Sequence, residues 1–313
     1  MKLSYYGYVF TEVKTGVKYR MPIKNFIQAF CQFKDPNYKN KFTHNGEHIF
    51  LLHGPGDLYL FIQTRSKEVI KKINSQDTSV GEIYDVLDKD EMLGFASYVF
   101  VMDSYLGFAS TTMAPRLASF GNFINDVLSS IGITEYQFNL IPFLHQATKA
   151  EAMSMPFIGK STIQINKSND FFDDIANYLG GSADEFEDVD SLEIVIEPKA
   201  RKDIGKAVKK MMARIPDEGL EKLVVRAKDD LHPSLIDLYL AGNGIVADNI
   251  NTRDEREIAT KIREKITNNS VLKKKVIEHE QDEAIKQGNV ESISKFCDAG
   301  SWSSALSDLQ END

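Results

Sequence analysis

Between positions 199 and 228 the chain carries ten basic residues against four acidic ones, a local net charge of +6 in a protein whose formal charge is −9. The preceding stretch, 173–197, is its opposite: nine carboxylates and not one Lys or Arg. The sign reverses at Pro198. A concentrated positive surface on an acidic protein selects polyanions, and nucleic acid is the commonest large polyanion in a cell. Phosphate recognition needs several cations held at the spacing of the backbone, each contact releasing counterions. Helical spacing over 204–214 places Lys206, Lys209 and Lys210 on one face, with Val208, Met211 and Met212 able to point inward. On a strand, Arg226 and Lys228 lie two apart and project to the same side. The expected DNA contacts are therefore Lys199, Arg201, Lys202, Lys206, Lys209, Lys210, Arg226 and Lys228. The plain alternative is a solvated, Lys-rich helix face. The acidic run either pairs with the basic block or covers it until DNA competes, with Asp184, Glu185, Glu187 and Asp188 at its centre.

Other chemistries are weaker. Residues 154–161, Ser-Met-Pro-Phe-Ile-Gly-Lys-Ser, approach the phosphate-cradling P-loop pattern, but Ser replaces the first Gly, and Pro156 removes a backbone donor. A strand is the expected structure there. Glu197-Pro-Lys199 at the end of an apolar run has the Glu-x-Lys form of a metal-dependent nuclease, with Asp190 or Asp184 as further ligands. The histidines (His44, His48, His53, His145, His232 and His279) show no metal-ligand spacing, because Asn45-Gly46 sets a turn between the closest pair. Cys31 and Cys297 are too few for a disulfide framework, so free thiols are expected. No cofactor or metal is called for.

At 313 residues, 42% of them hydrophobic, the chain has enough apolar side chains for two cores. No apolar run reaches membrane-spanning length, and Met1-Lys-Leu-Ser-Tyr-Tyr6 lacks a signal-peptide core, so a cytoplasmic location is expected. Alternation predicts strands near the start of the chain, over 48–52 and 58–63 around His53-Gly-Pro-Gly-Asp57, and over 96–102 and 105–109. Helical spacing links Ile23, Phe26, Ile27 and Phe30, and a helix covers 120–128. Two more are expected, from Ser66 to Ile73 and from Thr78 or Ser79 to Leu87. A second set follows: strands over 136–141, 161–165, 192–196 and 223–227, and helices over 171–179, ending at Gly180-Gly181, and over 204–214. Thr252 and Glu255 read as a capping box opening a long charged helix toward Lys286 and Gly288. The rest, with its one Trp, is a docking helix or a frayed tail. The fold class is α+β: two domains, 1–134 and 135–250, with antiparallel or mixed sheets flanked by helices, and a C-terminal helix and tail over 251–313.

Several runs, in order, resemble the RexA family of prophage exclusion proteins. They are Glu91-Met-Leu-Gly-Phe-Ala-Ser-Tyr-Val-Phe-Val101 with Leu106-Gly-Phe-Ala109, Met155-Pro-Phe-Ile-Gly-Lys-Ser-Thr162, Asp190-Ser-Leu-Glu-Ile-Val-Ile-Glu-Pro-Lys199 and Val225-Arg-Ala-Lys-Asp229. The similarity spans residues 45 to 285. The resemblance implies a homodimeric, two-domain α+β protein with a fold akin to the recombination-associated protein RdgC. It also implies sequence-tolerant binding of double-stranded DNA, with no enzymatic step, by the intracellular sensor of a phage-exclusion system that acts with a membrane partner. Arg226 and Lys228 match the family's Arg-Ala-Lys segment, and Lys199, Lys202 and Lys206 its Lys-rich one. The chain departs from that pattern at Glu197, where the family member has Lys, and in its tail. Two other classes compete: the metal-dependent nuclease, and a protein-interaction adaptor to a membrane effector.

Overall fold

A computed structural model describes every residue except 67–69, 74–75, 77–79, 180–185, 187, 200–201, 229–235, 242–243, 253, 289 and 311–313. Two compact units result: Met1–Pro142 with Ile250–Thr267 and Lys273–Asp313, and Phe143–Asn249 with Asn268–Leu272. The expected boundaries at 134 and 250 thus move to 142 and 249, and most of the segment after 250 packs with the first unit.

In chain order the first unit opens with β1 (Lys2–Glu12), β2 (Lys18–Arg20), α1 (Lys24–Gln32), α2 (Pro36–Lys39), β3 (Thr43–His44), β4 (Glu47–His53) and β5 (Leu58–Thr64). It continues through β6 (Lys71–Ile73), β7 (Val80–Glu82), β8 (Gly94–Val101), β9 (Tyr105–Ser110), α3 (Leu117–Ser130) and β10 (Tyr136–Pro142). Strands run β2–β1–β9–β8–β5–β4–β3 in one sheet, with β10 also on β1. The Leu52-to-Leu58 reversal turns on Gly56, whose φ of 66° a side chain rarely adopts. Ile23, Phe26, Ile27 and Phe30, the stripe on and just before α1, are buried together with Phe120, Phe123, Ile124, Val127 and Leu128 of α3.

Three local expectations fail for readable reasons. The expected helices at 66–73 and 78–87 are replaced by the β6–β7 hairpin, closed by a Lys71–Glu82 ion pair, and a 3-10 turn over Ile83–Val86. Ser66 cannot cap a helix, because its hydroxyl donates to Glu47 Oε1 at 2.8 Å; Thr78 and Ser79 lie outside the described residues. The strand at 136–142 joins the first unit, because it pairs over seven residues with β1 from Tyr6↔Pro142 to Glu12↔Tyr136.

The second unit holds β11 (Leu144–His145), α4 (Lys149–Ser154), β12 (Phe157–Asn166), α5 (Asp170–Tyr178), β13 (Ser191–Ile196), α6 (Gly205–Met212), β14 (Leu220–Lys228), β15 (Ile236–Ala241), β16 (Gly244–Ile245) and β17 (Ala247–Asn249). Its main sheet is antiparallel, ordered β13–β12–β14–β15. The P-loop-like run is α4's last residue, a short link and β12, so it forms no phosphate loop.

The C-terminal segment is helical but not continuous: α7 (Glu255–Asn268) and α8 (Ser270–Glu280), then β18 (Ile285–Gln287), α9 (Glu291–Ser294) and α10 (Ala299–Gln310). The break falls at buried Asn269, whose Oδ1 accepts from Leu272 N–H at 2.8 Å and so caps a new helix. Asp254 takes the capping role expected of Thr252 and Glu255, its Oδ1 accepting from Arg256 N–H at 3.0 Å. Strand β18 adds to β2 in parallel. Trp302 on α10 is fully buried, 5.3–5.4 Å from the rings of Phe26, Phe30 and Phe296, and donates its indole N–H to Phe296 O at 2.9 Å. The tail is therefore a docked helix.

Candidate nucleic-acid interface

Period-two alternation sorts the second unit's sheet into two faces. Ile163 and Ile165 of β12, Leu223, Val225 and Ala227 of β14 and Leu238 and Leu240 of β15 are buried against Phe172 and Ala176 of α5 and Val208 and Met212 of α6. The alternate residues face the other way: Lys160, Thr162, Lys222, Arg226, Asp237 and Tyr239, with buried Val224 among them, line a depression of ≈ 170 Å³.

Strand ends decide which cations meet. Both β13 and β14 run antiparallel to β12 and head toward its first residue, Phe157: β14 finishes opposite it, and β13 stops four residues short, with Ile196 opposite Ser161. Lys228 pairs there in register with Phe157. Chain leaving β13 passes Lys199 and Lys202 and enters α6, tied to the same end of the sheet by Ile204 N–H donating to Ile158 O at 2.9 Å. Asp203 completes the tie: one carboxylate oxygen accepts from Ile158 N–H at 2.8 Å and Gly205 N–H at 2.9 Å. Those two backbone bonds hold its carboxyl below the usual range. An acid inside a basic block is thereby spent on backbone.

The expected contacts thus divide. Lys199, Lys202 and Lys206 are exposed, Lys228 is half-buried, and none of them makes an ion pair or hydrogen bond through its side chain among the described residues. All four belong to the Phe157 end of the sheet, Lys228 on its open face and Lys206 on the helix that covers the other. Arg226 sits one alternation deeper on the open face, in a fork with Asp237: Nε to Oδ1 at 2.7 Å and Nη2 to Oδ2 at 3.1 Å. Those hydrogen bonds hold its guanidinium protonated even more firmly than usual. Lys209 turns inward enough to donate to Met155 O at 2.9 Å. Lys210 lies farther along α6, away from that end. Arg201 lies outside the described residues.

Register also reveals side chains that the sequence did not single out. Lys160, the lysine of the P-loop-like run, pairs in register with Arg226 on β14, which itself pairs with Asp237 on β15. Lys160 donates to Glu197 at 2.6 Å and Lys222 to Glu193 at 3.3 Å. The hydrogen bond from Lys160 lowers the Glu197 carboxyl from its ordinary value. Two carboxylates of the acidic run are thus bound to sheet lysines rather than to α6. Asp184, Glu185 and Glu187 lie outside the described residues, as do Gly180-Gly181 and His232. No sequence signal links residue 160 to 197 or 226 to 237, since only strand pairing sets them side by side. Among the described residues no three His, Cys, Asp or Glu side chains gather as a metal site. No described helix is long and apolar enough to cross a membrane.

A two-unit α+β chain with a cationic sheet end carrying the segments 155–162, 190–199 and 225–228 matches a family model, over residues 1–234: "RexA: Intracellular sensor of Lambda phage, Abi component". The chain belongs to the RexA family. Among its relatives are the RexA proteins of Escherichia phage lambda and of Enterobacteria phage 434, each 34% identical over 204 residues, 65% of this chain and 72% of theirs. The family match begins at residue 1 and stops at 234, rather than covering 45–285; it includes the whole basic block and excludes α7 to α10.

Proposed function

We propose that this chain serves a phage-exclusion system as a dimeric, non-enzymatic sensor that binds duplex DNA with little sequence preference and signals to a membrane partner. The observation that carries the DNA reading is the set of cations without an ion pair among the described residues, Lys199, Lys202, Lys206 and Lys228, at the end of the sheet where β12 starts and β14 finishes. Contacts of this kind recognise phosphate and position a duplex without reading bases. Arg226, shared with Asp237, and Lys209 and Lys210 on α6 extend the positive field, and Arg201 lies in the same lead-in by sequence. Family membership supports the sensor role.

A mobility shift with two duplexes of unrelated sequence at low salt tests this. Both are expected to bind alike, and K202A/K206A and R226A/K228A are each expected to weaken both. Absence of any shift at the lowest salt overturns the DNA reading. Plasmid cleavage with Mg²⁺ or Mn²⁺ that is lost in E197A would replace it with the nuclease.

A further inference from the structure

The helices over the second unit's sheet carry complementary charge columns. On α5, Asp170, Asp174 and Tyr178 recur every four residues on the exposed side, with Leu179 just beyond. Tyr178 is 90% and Leu179 64% exposed. On α6 and its last turn, Lys206, Lys210 and Arg214 recur at the same spacing, also exposed. No ion pair joins the columns among the described residues. Between the helices lies an open hollow of ≈ 350 Å³ lined by Phe171, Lys210, Met211, Arg214 and Ile215.

Their directions matter. Helix α5 starts just after β12 ends at Asn166, whereas α6 starts at the Phe157 end and leads, through Gly219, back to Asn166, whose N–H donates to Gly219 O at 2.9 Å. The helices therefore run antiparallel over one sheet face, and Asp170 and Arg214 occupy the same end of the layer. A two-fold axis parallel to the helices keeps positions along that direction while exchanging the two sides. It sets Asp170 against the second copy's Arg214 and Asp174 against the second copy's Lys210, twice over.

We propose that this helix layer is the surface on which a second copy of the chain docks, acidic column on basic column. Such an isologous contact needs one self-complementary patch, which α5 and α6 together supply. Docking covers Tyr178 and Leu179 and compensates Lys210 and Arg214; Lys206, at the end of its column, faces Tyr178 and no carboxylate, so its charge stays uncompensated and available, with Lys199, Lys202 and Lys228 at the sheet end, for phosphate. The assignment rests on the dimer in the proposed function and is independent of DNA binding.

Sedimentation velocity without DNA tests it, using the full chain, D170K/D174K, K210E/R214E and an equimolar mixture of the two variants. Each reversal alone sets like charges opposite one another and is expected to weaken self-association by at least ~10-fold, while the mixture restores a heterodimer. The full-length Y178A chain, with unchanged thermal unfolding, is expected to weaken it as well, which guards against misfolded reversals. A dimer insensitive to both reversals, or a mixture that stays monomeric, overturns this surface while leaving a dimer possible elsewhere. A parent that is monomeric throughout overturns both the surface and the dimer. D170K/D174K keeps its DNA shift if the two functions are separate; loss of that shift, too, counts against the assignment.

Discussion

The salt dependence of DNA binding separates free cations from paired ones. Four basic groups at the Phe157 end, Lys199, Lys202, Lys206 and Lys228, are unpaired among the described residues, whereas Arg226, Lys160 and Lys222 already face Asp237, Glu197 and Glu193. If each free group neutralises one phosphate, log K against log salt has a slope of about −3.6 per protomer, a loss of ~150-fold between about 50 and 200 mM. Removing two of the four with K202A/K206A halves the slope to about −1.8 and the loss to ~12-fold. Anisotropy of a labelled duplex across a KCl series measures both, and the curves should converge at high salt. An unchanged slope in K202A/K206A would refute the argument that these groups are the phosphate contacts. A larger fall in R226A alone would refute the argument that pairing withholds Arg226.

Three further outcomes follow from the geometry. D237N and E197Q remove the carboxylates that occupy Arg226 and Lys160, so each should steepen the slope by up to ~0.9 in the same titration, while the denaturant midpoint stays nearly unchanged, because solvent screens these half-exposed pairs. Burial pushes the Lys39 amine down to about 8, beside the Phe30 ring at 3.3 Å. Between pH 8 and its ordinary value of 10.5 the unfolded chain therefore binds more protons there, so the Lys39 contribution to stability rises with pH, against the fall from buried Cys31, Tyr38, Tyr59 and Tyr105; the stability of the parent relative to K39M should climb across that window in urea unfolding followed at several pH values. W302A empties the site between Phe26, Phe30 and Phe296 and should cost ~3–5 kcal/mol by equilibrium unfolding; a cost under ~1 kcal/mol would mean that α10 does not dock.

Composition and periodicity determined much by themselves. The Ile23–Phe26–Ile27–Phe30 stripe, the alternating runs around Gly56, and the inward Val208 and Met212 of α6 each had a local physical cause, and each forms where that cause places it. The basic block, too, is a property of the sequence, as is the resemblance that carries the family. Local signals misled where two short elements compete: Ser66 looks like a helix cap until Glu47, distant in sequence, takes its hydroxyl, and Asn269 breaks a helix whose charge pattern runs on.

Only tertiary structure decided which cations are free. The sequence shows Lys160, Glu197, Arg226 and Asp237 as unrelated charges, and hydrogen bonding between strands puts them in line, so that Glu197 of the acidic run and Asp237 of β15 occupy the sheet cations, while Lys199, Lys202 and Lys206 make no ion pair among the described residues. Strand direction then brings Lys199, Lys202, Lys206 and Lys228 to one end of the sheet, because β13 and β14 both run toward the end at which β12 starts. Charge is a local property of a chain, but compensation of charge depends on who the neighbours are, and neighbours across a sheet are set by register.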